Sequence, residues 1–196
     1  NLSLAVGSTV CIILTFGFDH IVVKKLSAGA DVQAIAGAYL THAILLSLLV
    51  ALVMIGHSWL FPGFHQVHKL LLAIFISSLL TFISSPYKQL ANGTEHFWHL
   101  AIMSIIGNLA KVVGLLVMLA IKNVDTTALS VLFIVSGVVE LLVCAVAART
   151  ILKRSLKISF NLKVYKALVK EALPQMGVVL LDSSFARIDW ILMGIL

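Results

Sequence analysis

Three ionisable side chains interrupt an apolar stretch at the end of the sequence. Asp182, Arg187 and Asp189 lie within residues 172–196, which are otherwise apolar enough to enter a bilayer. Each such charge costs about 3 kcal/mol at the centre of a membrane helix, so a lipid-facing helix does not keep them. We therefore expect this segment to line a polar cavity or to pack against partners. Arg187 and Asp189 are candidates for a cavity or substrate-binding role, and Asp182 is a candidate proton or cation site.

A second group of polar residues lies in a long apolar run near the middle of the chain. Ser104, Asn108 and Lys111 are spaced by four and three residues, so they share one face of a helix. Gly107 and Gly114 lie beside that face, and their small size allows another helix to approach closely. The spacing predicts a polar face that meets a neighbouring helix or a cavity.

The next apolar run contains Gly137, Glu140 and Cys144, which also share a helical face. If the two runs form a hairpin, Glu140 can meet Lys111 across it. Two interpretations stay open. The pair is a structural ion pair that locks adjacent helices, or its members serve function, as intramembrane charges commonly do.

Histidine spacing raises the question of a metal site. His65 and His68 are three residues apart, and so are His96 and His99. The predicted topology puts the first pair outside and the second inside, so they cannot share one ion, and we expect no metal and no cofactor. The sequence has no Gly-rich phosphate loop, nucleophile elbow or paired carboxylates on a loop, so we expect no catalytic residues.

Composition shows what kind of elements must position these residues. The 196-residue chain has 61% hydrophobic and 11% charged residues and a mean hydropathy of +1.10, whereas soluble domains are about one-quarter charged. About 20 residues of helix cross one bilayer core. The pattern predicts an all-α polytopic transmembrane helix bundle with about six spanning helices, in the apolar runs at 1–23, 35–60, 70–86, 97–121, 127–148 and 172–196. Pro86 leaves it open whether the third run continues as a helix or breaks there.

The net charge of +6 reflects topology, because basic residues cluster at the ends of the apolar runs. The positive-inside rule then places loops 24–30, 87–96 and 149–171 in the cytoplasm, with ten of the 14 basic residues, and leaves Lys69 and Lys122 outside. No nucleic-acid partner is expected.

The basic segment 149–171 divides the chain into three parts. Residues 1–148 are predicted to form five transmembrane helices, and residues 172–196 a sixth. In the segment itself, apolar and polar residues alternate from Leu156 to Val164, which predicts an extended linker. Asn161 is then the predicted N-cap of an interfacial amphipathic helix that leads into the last run.

Three stretches resemble polysaccharide and O-antigen flippases of the multidrug/oligosaccharidyl-lipid/polysaccharide exporter superfamily. ALP followed by RIDWILMGIL is similar to the start of that family's seventh helix, and FGFDHIVVKKLS to the close of its second. SPYKQLANGTEHFWHLAIMSIIGNLAKVVGLL is similar to its fourth-to-fifth helix passage. The order and spacing of these stretches cover nearly the whole chain. Because the sequence starts at Asn1 and ends within an apolar run, we expect a fragment that covers about helices two to seven of a two-lobed exporter. The resemblance then implies that residues 1–148 belong to the first lobe and that the helix at 172–196 starts the second.

The resemblance implies a transporter that flips an undecaprenyl-diphosphate-linked oligosaccharide across the bacterial inner membrane. Lys111 and Arg187 would then attract the diphosphate, and Asn108 and Ser104 would hydrogen-bond sugar hydroxyls. Glu140, together with the two acidic residues of the last run, would couple transport to protons or sodium ions. Implied partners are membrane lipid and the polysaccharide polymerase and export proteins.

Three other functions stay open at this point. A drug or cation exporter of the same superfamily would favour acidic cavity residues. A membrane-embedded glycan polymerase or acyltransferase would need a large extracytoplasmic loop or a catalytic histidine, and the predicted outside loops are short. A noncatalytic scaffold would use the intramembrane charges for assembly alone.

Overall fold

A computed structural model describes residues 14–15, 17–60, 65–122, 125–153, 156–158 and 160–185, apart from some side chains within the helices (positions 55, 57–60, 65–69, 71, 180 and 182–185). All regular structure in these ranges is helical, which confirms the predicted all-α class. The six helices are α1 (Phe18–Ser27), α2 (Val32–Leu60), α3 (His65–Gly93), α4 (Phe97–Ile121), α5 (Thr126–Leu152) and α6 (Leu162–Phe185).

Three of the described helices are long and apolar enough to cross a membrane. They are Val32–Met54 within α2, the whole of α4 and the whole of α5. Helix α1 is described over only 10 residues, and the last apolar run is described only as far as the end of α6 at Phe185. Helix α3 contains the whole apolar run predicted at 70–86. These long apolar helices are those of a membrane protein.

Helix α3 continues without a break through Pro86, so the open question about this proline is answered by a continuous helix. The loop predicted at 87–96 is correspondingly shorter, because residues 87–93 are helical and only Thr94–His96 separate α3 from α4. Lys88, which the sequence assigned to that loop, therefore lies inside a helix. The loop predicted at 24–30 is shortened in the same way, since α1 extends to Ser27.

Helix α3 is the centre of the bundle and packs against α1, α2, α4 and α5. Small residues permit the close approaches. A Cβ on Gly93 would lie only 2.6 Å from Leu26 Cβ of α1, and a Cβ on Gly137 of α5 would lie 3.2 Å from Ser77 O of α3. Large buried side chains such as Phe18 and Leu90 fill the core around these contacts.

Several contacts place the three predicted cytoplasmic loops at one end of the bundle. Gln33 Nε2 donates to Lys157 O at 3.2 Å, which ties the start of α2 to the linker before α6. Lys25 Nζ lies 2.7 Å from Glu171 Oε1, which joins the end of α1 to α6. The side of the membrane that this end faces stays a prediction.

The structure has the irregular segment and the helix N-cap predicted around Asn161, although the helix already begins at Leu162; its position at the membrane interface stays a prediction. Residues 156–158, 160 and 161 have no regular structure, and α6 begins at Leu162. Asn161 Oδ1 accepts from Lys163 N at 3.0 Å and from Val164 N at 3.4 Å, which is N-cap geometry. α6 then runs through Pro174 into the last apolar segment as one helix.

Candidate functional site

A buried carboxylate is held between α3 and α5 by three donors from α3. Glu140 Oε1 lies 2.5 Å from Lys88 Nζ and 3.4 Å from Ser84 Oγ, and Oε2 accepts from Thr81 Oγ1 at 3.0 Å. The side chains of Lys88 and Glu140 are only 19% and 6% exposed. We call these four residues the Glu140 cluster.

The spacing of the donors explains the geometry of the cluster. Thr81, Ser84 and Lys88 are separated by three and four residues, so they form one face of α3 that points at Glu140. Gly107 of α4 closes the third side, because a Cβ there would lie 2.8 Å from the Glu140 carboxyl carbon. Glu140 therefore lies where three helices meet and has its charge compensated inside the bundle.

The ion pair predicted between Glu140 and Lys111 is wrong, because Lys88 occupies that place. Gly107 faces Glu140 and Gly114 faces Leu132, so α4 and α5 run antiparallel in a register that sets Lys111 level with about Ser136. Ser136 is one helical turn from Glu140. The predicted face of Gly137, Glu140 and Cys144 is buried as expected, but Glu140 meets a different cation.

A second carboxylate, on α1, is held by hydroxyl groups. Asp19 Oδ1 accepts from Tyr39 Oη and from Ser85 Oγ, each at 2.7 Å, and Tyr39 is completely buried. Because Ser84 and Ser85 are adjacent, one turn of α3 donates to Glu140 on one side and to Asp19 on the other. Asp19 is not among the site residues predicted from the sequence, although an aspartate within an apolar run is a signal that could have identified it.

His42 of α2 joins the Asp19 region to the start of α6. Its Nε2 lies 3.1 Å from Leu14 O, and its Nδ1 lies 3.0 Å from Tyr165 Oη. A carbonyl oxygen can only accept, so Nε2 carries a proton and a neutral His42 accepts at Nδ1 from the tyrosine hydroxyl. The ring packs against Phe18 with centroids 4.5 Å apart, so this histidine is a packed bridge between helices.

The polar face of α4 contrasts with these buried groups. Ser104 and Asn108 are exposed and Lys111 is half-buried, and none of the three makes a hydrogen bond or ion pair with another described residue. Only 11% of the most apolar part of α4 is buried, against 56% for α2. We call these three residues the α4 stripe; it lies on the outside of the described bundle and is free to meet a ligand or further protein.

The remaining predicted site residues belong to the last apolar run. Asp182 lies in α6, but its side chain is not among the described ones. Arg187 and Asp189 lie outside the described residues altogether. Their predicted roles in substrate binding and ion coupling stay predictions. In the described part of the chain, no three metal-ligating side chains lie together.

A groove of about 360 Å³ separates α3 from the beginning of α5, at the end of the bundle away from the Glu140 cluster. Its lining mixes aliphatic side chains such as Ile76 with the hydroxyls of Thr126, Thr127 and Ser130. Asp125 also lines it, but its carboxylate caps α5 by accepting from Thr126 N at 2.7 Å. The groove is therefore lined by no unpaired ionisable side chain, and we interpret it as a gap in the packing of the helices and not as a binding site.

Helices long and apolar enough to cross a membrane, three of them among the described residues, define a multi-pass α-helical membrane protein. The chain belongs to a family described as "polysaccharide biosynthesis protein", whose model matches residues 1–196. The family resemblance found in the sequence is thereby confirmed. No curated protein and no solved structure matches the chain.

Proposed function

We propose that this chain belongs to a transporter that flips a lipid-linked oligosaccharide, carried on undecaprenyl diphosphate, across the bacterial inner membrane for surface polysaccharide synthesis. The observation that carries the proposal is the family match over all 196 residues, since members of this family are typically transporters rather than enzymes. The helices long and apolar enough to cross a membrane are consistent with that role.

The chemistry of the α4 stripe suits such a substrate. Lys111 lies near the midpoint of the 25-residue α4, where a cation without a protein partner is costly. A diphosphate offers charge-assisted hydrogen bonds to an ammonium group, and sugar hydroxyls offer neutral ones to Ser104 and Asn108. Exposure of the stripe on the described bundle leaves it available for a substrate or for the facing lobe of a larger transporter.

The charge balance favours an anionic substrate over the cations of a drug exporter. Both carboxylate oxygens of Glu140 accept from donors of α3, and Asp19 Oδ1 accepts from hydroxyl groups of α2 and α3. Lys111, by contrast, has no hydrogen-bond or ion-pair partner among the described side chains. Glu140 as an ion-coupling residue would have to exchange Lys88 for a proton or sodium ion, whereas Asp182 and Asp189 stay candidates for the same role.

Complementation tests this proposal. A strain that lacks its own flippase is given the full-length protein with Lys111→Met, which keeps the aliphatic length and removes the charge. We expect transport of the lipid-linked glycan to fall about tenfold, as for the loss of a charge-assisted hydrogen bond. The readouts are surface polysaccharide and accumulated lipid-linked precursor, at matched amounts of protein in the membrane.

Lys122→Met is the matched control, because Lys122 is an exposed lysine at the far end of the same helix. It should leave transport unchanged. Normal surface polysaccharide in the Lys111→Met strain would remove the α4 stripe from the proposed site. A wild-type protein that cannot complement, but that changes the drug sensitivity of the strain, would support the cation exporter instead.

A further inference from the structure

We propose that the surface formed by the described residues of the linker and the exposed side of α6 (153, 156–158 and 160–170) binds anionic phospholipid headgroups, with the apolar side chains of the linker inserted among the acyl chains. We call it the linker surface. This inference does not depend on the transported substrate.

The orientation of α6 fixes its basic residues on the outside. Lys163, Lys166 and Lys170 are spaced by three and four residues, and all three are exposed. Leu168 and Ala172, on the opposite face, are completely buried. The buried face holds α6 on the bundle and so turns a row of three ammonium groups outward.

No acidic group of the segment neutralises this row. Glu171 is the one acidic residue between positions 149 and 171, and its carboxylate is engaged by Lys25 Nζ of α1 at 2.7 Å. Lys153 and Lys157 are exposed as well and add to the positive charge. Among the described residues, no ion pair joins the exposed lysines of this segment to an acidic side chain of another element. We therefore expect their counter-charge to come from lipid, since juxtamembrane lysines attract anionic lipids by about 1 kcal/mol each.

The linker adds an apolar component that selects the kind of partner. Ile158, Phe160 and Leu162 occupy alternate positions and are 66%, 57% and 52% exposed. The hydrogen bond from Gln33 Nε2 to Lys157 O fixes the backbone of this segment to the start of α2. The lysines suit an anionic headgroup, and the exposed apolar side chains beside them suit acyl chains, so the surface fits an anionic lipid. Nucleic acid or an acidic soluble protein would leave the apolar side chains without an apolar partner.

The linker surface also lies at the right place for such a partner. The contacts between Gln33 and Lys157 and between Lys25 and Glu171 put it at the end of the bundle where the predicted cytoplasmic loops meet. A linker at that level meets the headgroup region of the bilayer. Anionic lipid there would fix α6 at the membrane surface.

Spin-labelled lipids test the charge component on the full-length protein reconstituted in vesicles. We expect wild type to associate with labelled phosphatidylglycerol in preference to labelled phosphatidylethanolamine, and Lys166→Gln to lower that preference about fivefold. The triple variant Lys163→Gln/Lys166→Gln/Lys170→Gln should abolish it. Salt should weaken the preference of wild type, because exposed charges are screened.

Lys122→Gln, at the other end of the bundle, is the matched control and should keep the wild-type preference. Because the three substituted side chains are exposed, helix content and thermal transition should also stay at wild-type values. A triple variant that keeps the preference would overturn the proposal, and so would an equal loss in the control. A preference that appears only for lipid diphosphates would assign the surface to the substrate instead.

A depth measurement tests the apolar component. A nitroxide attached to Phe160→Cys, with Cys11 replaced by Ser and the buried Cys144 left in place, should be more accessible to oxygen than to a water-soluble nickel chelate. The same label at Lys166→Cys should show the opposite preference. A label at position 160 that is accessible chiefly to the nickel chelate would show that the linker lies in water and would contradict the insertion.

Discussion

The Glu140 cluster and the α4 stripe are two polar groups in adjacent helices that differ in where their partners come from. Glu140 is bound by Lys88, Thr81 and Ser84, all from one neighbouring helix of the same bundle. The residues of the α4 stripe have no described partner; Ser104 and Asn108 are exposed and Lys111 is half-buried. A charge in an apolar run can thus serve either the fold or an external ligand, and the distinction is visible only when its neighbours are known.

The difference has a physical basis in the cost of desolvation. A buried carboxylate is tolerated when a cation and hydrogen-bond donors satisfy its oxygens, and the loss of one partner leaves an uncompensated charge. A lysine on an exposed face can direct its ammonium group toward water or a ligand and depends little on the bundle. Substitutions in the two groups should therefore separate stability from transport.

The largest effect on stability is expected for Lys88→Met. The variant keeps the aliphatic stem but leaves Glu140 buried without its cation, so the free energy of unfolding should fall by about 3–5 kcal/mol. Unfolding in mixed detergent and dodecyl sulfate micelles, followed by circular dichroism, measures this.

The double variant Lys88→Met/Glu140→Gln is the control for that change. Removing the orphaned charge should recover most of the loss, since a glutamine still accepts from Thr81. If Lys88→Met is as stable as wild type, the ion pair between Lys88 and Glu140 does not stabilise the fold, and the proposed difference between the Glu140 cluster and the α4 stripe is wrong.

A smaller loss of stability is expected for Gly107→Ala, which tests the contact between α4 and the Glu140 cluster. The added Cβ would come 2.8 Å from the Glu140 carboxyl carbon and 3.2 Å from Glu140 Cβ, so the cluster must shift, and we expect a loss of about 1–3 kcal/mol in the free energy of unfolding.

Gly56→Ala is its matched control, because a Cβ there has no atom within 4 Å. That exchange, in a helix and in open space, should be neutral or slightly stabilising. Equal effects of the two substitutions, measured in the same unfolding assay, would contradict the close approach of α4 to Glu140.

The smallest effect on stability is expected for Lys111→Met. With no partner to lose, the variant should change the free energy of unfolding by less than about 0.5 kcal/mol. This is the same variant for which a loss of transport is expected, so the two measurements together define a functional residue. A loss of stability similar to that of Lys88→Met would place Lys111 with the structural pairs.

Much of the fold was predictable because helical periodicity and apolar length are local properties of the chain. The run predicted at 97–121 matches α4 to the residue, and the N-cap at Asn161 was identified from its residue type and the amphipathic pattern that follows. The end of α3 was not predictable, since Pro86 and the polar residues after it resemble a helix end. Buried neighbours on α1, α4 and α5 keep the helix intact to Gly93.

The candidate site was predicted in part. The face shared by Ser104, Asn108 and Lys111 follows from spacing alone, and the exposure of Ser104 and Asn108 fits a surface that meets something beyond these helices. The partner of Glu140 did not follow from spacing. Lys111, on the other helix of the hairpin, was the expected partner of Glu140. In the observed register of α4 along α5, however, Lys111 lies one helical turn away from the level of Glu140.

The sequence alone predicts a helical chain that enters a membrane, because helix period and apolar length are properties of the local sequence. It also identifies the polar residues within the apolar runs that are costly to bury. Only the tertiary structure decided which of those charges compensate one another. Lys88 contacts Glu140, and one turn of α3 donates hydrogen bonds to both Glu140 and Asp19. Both contacts depend on the way in which the helices cross, and that crossing is set by packing between segments far apart in the chain.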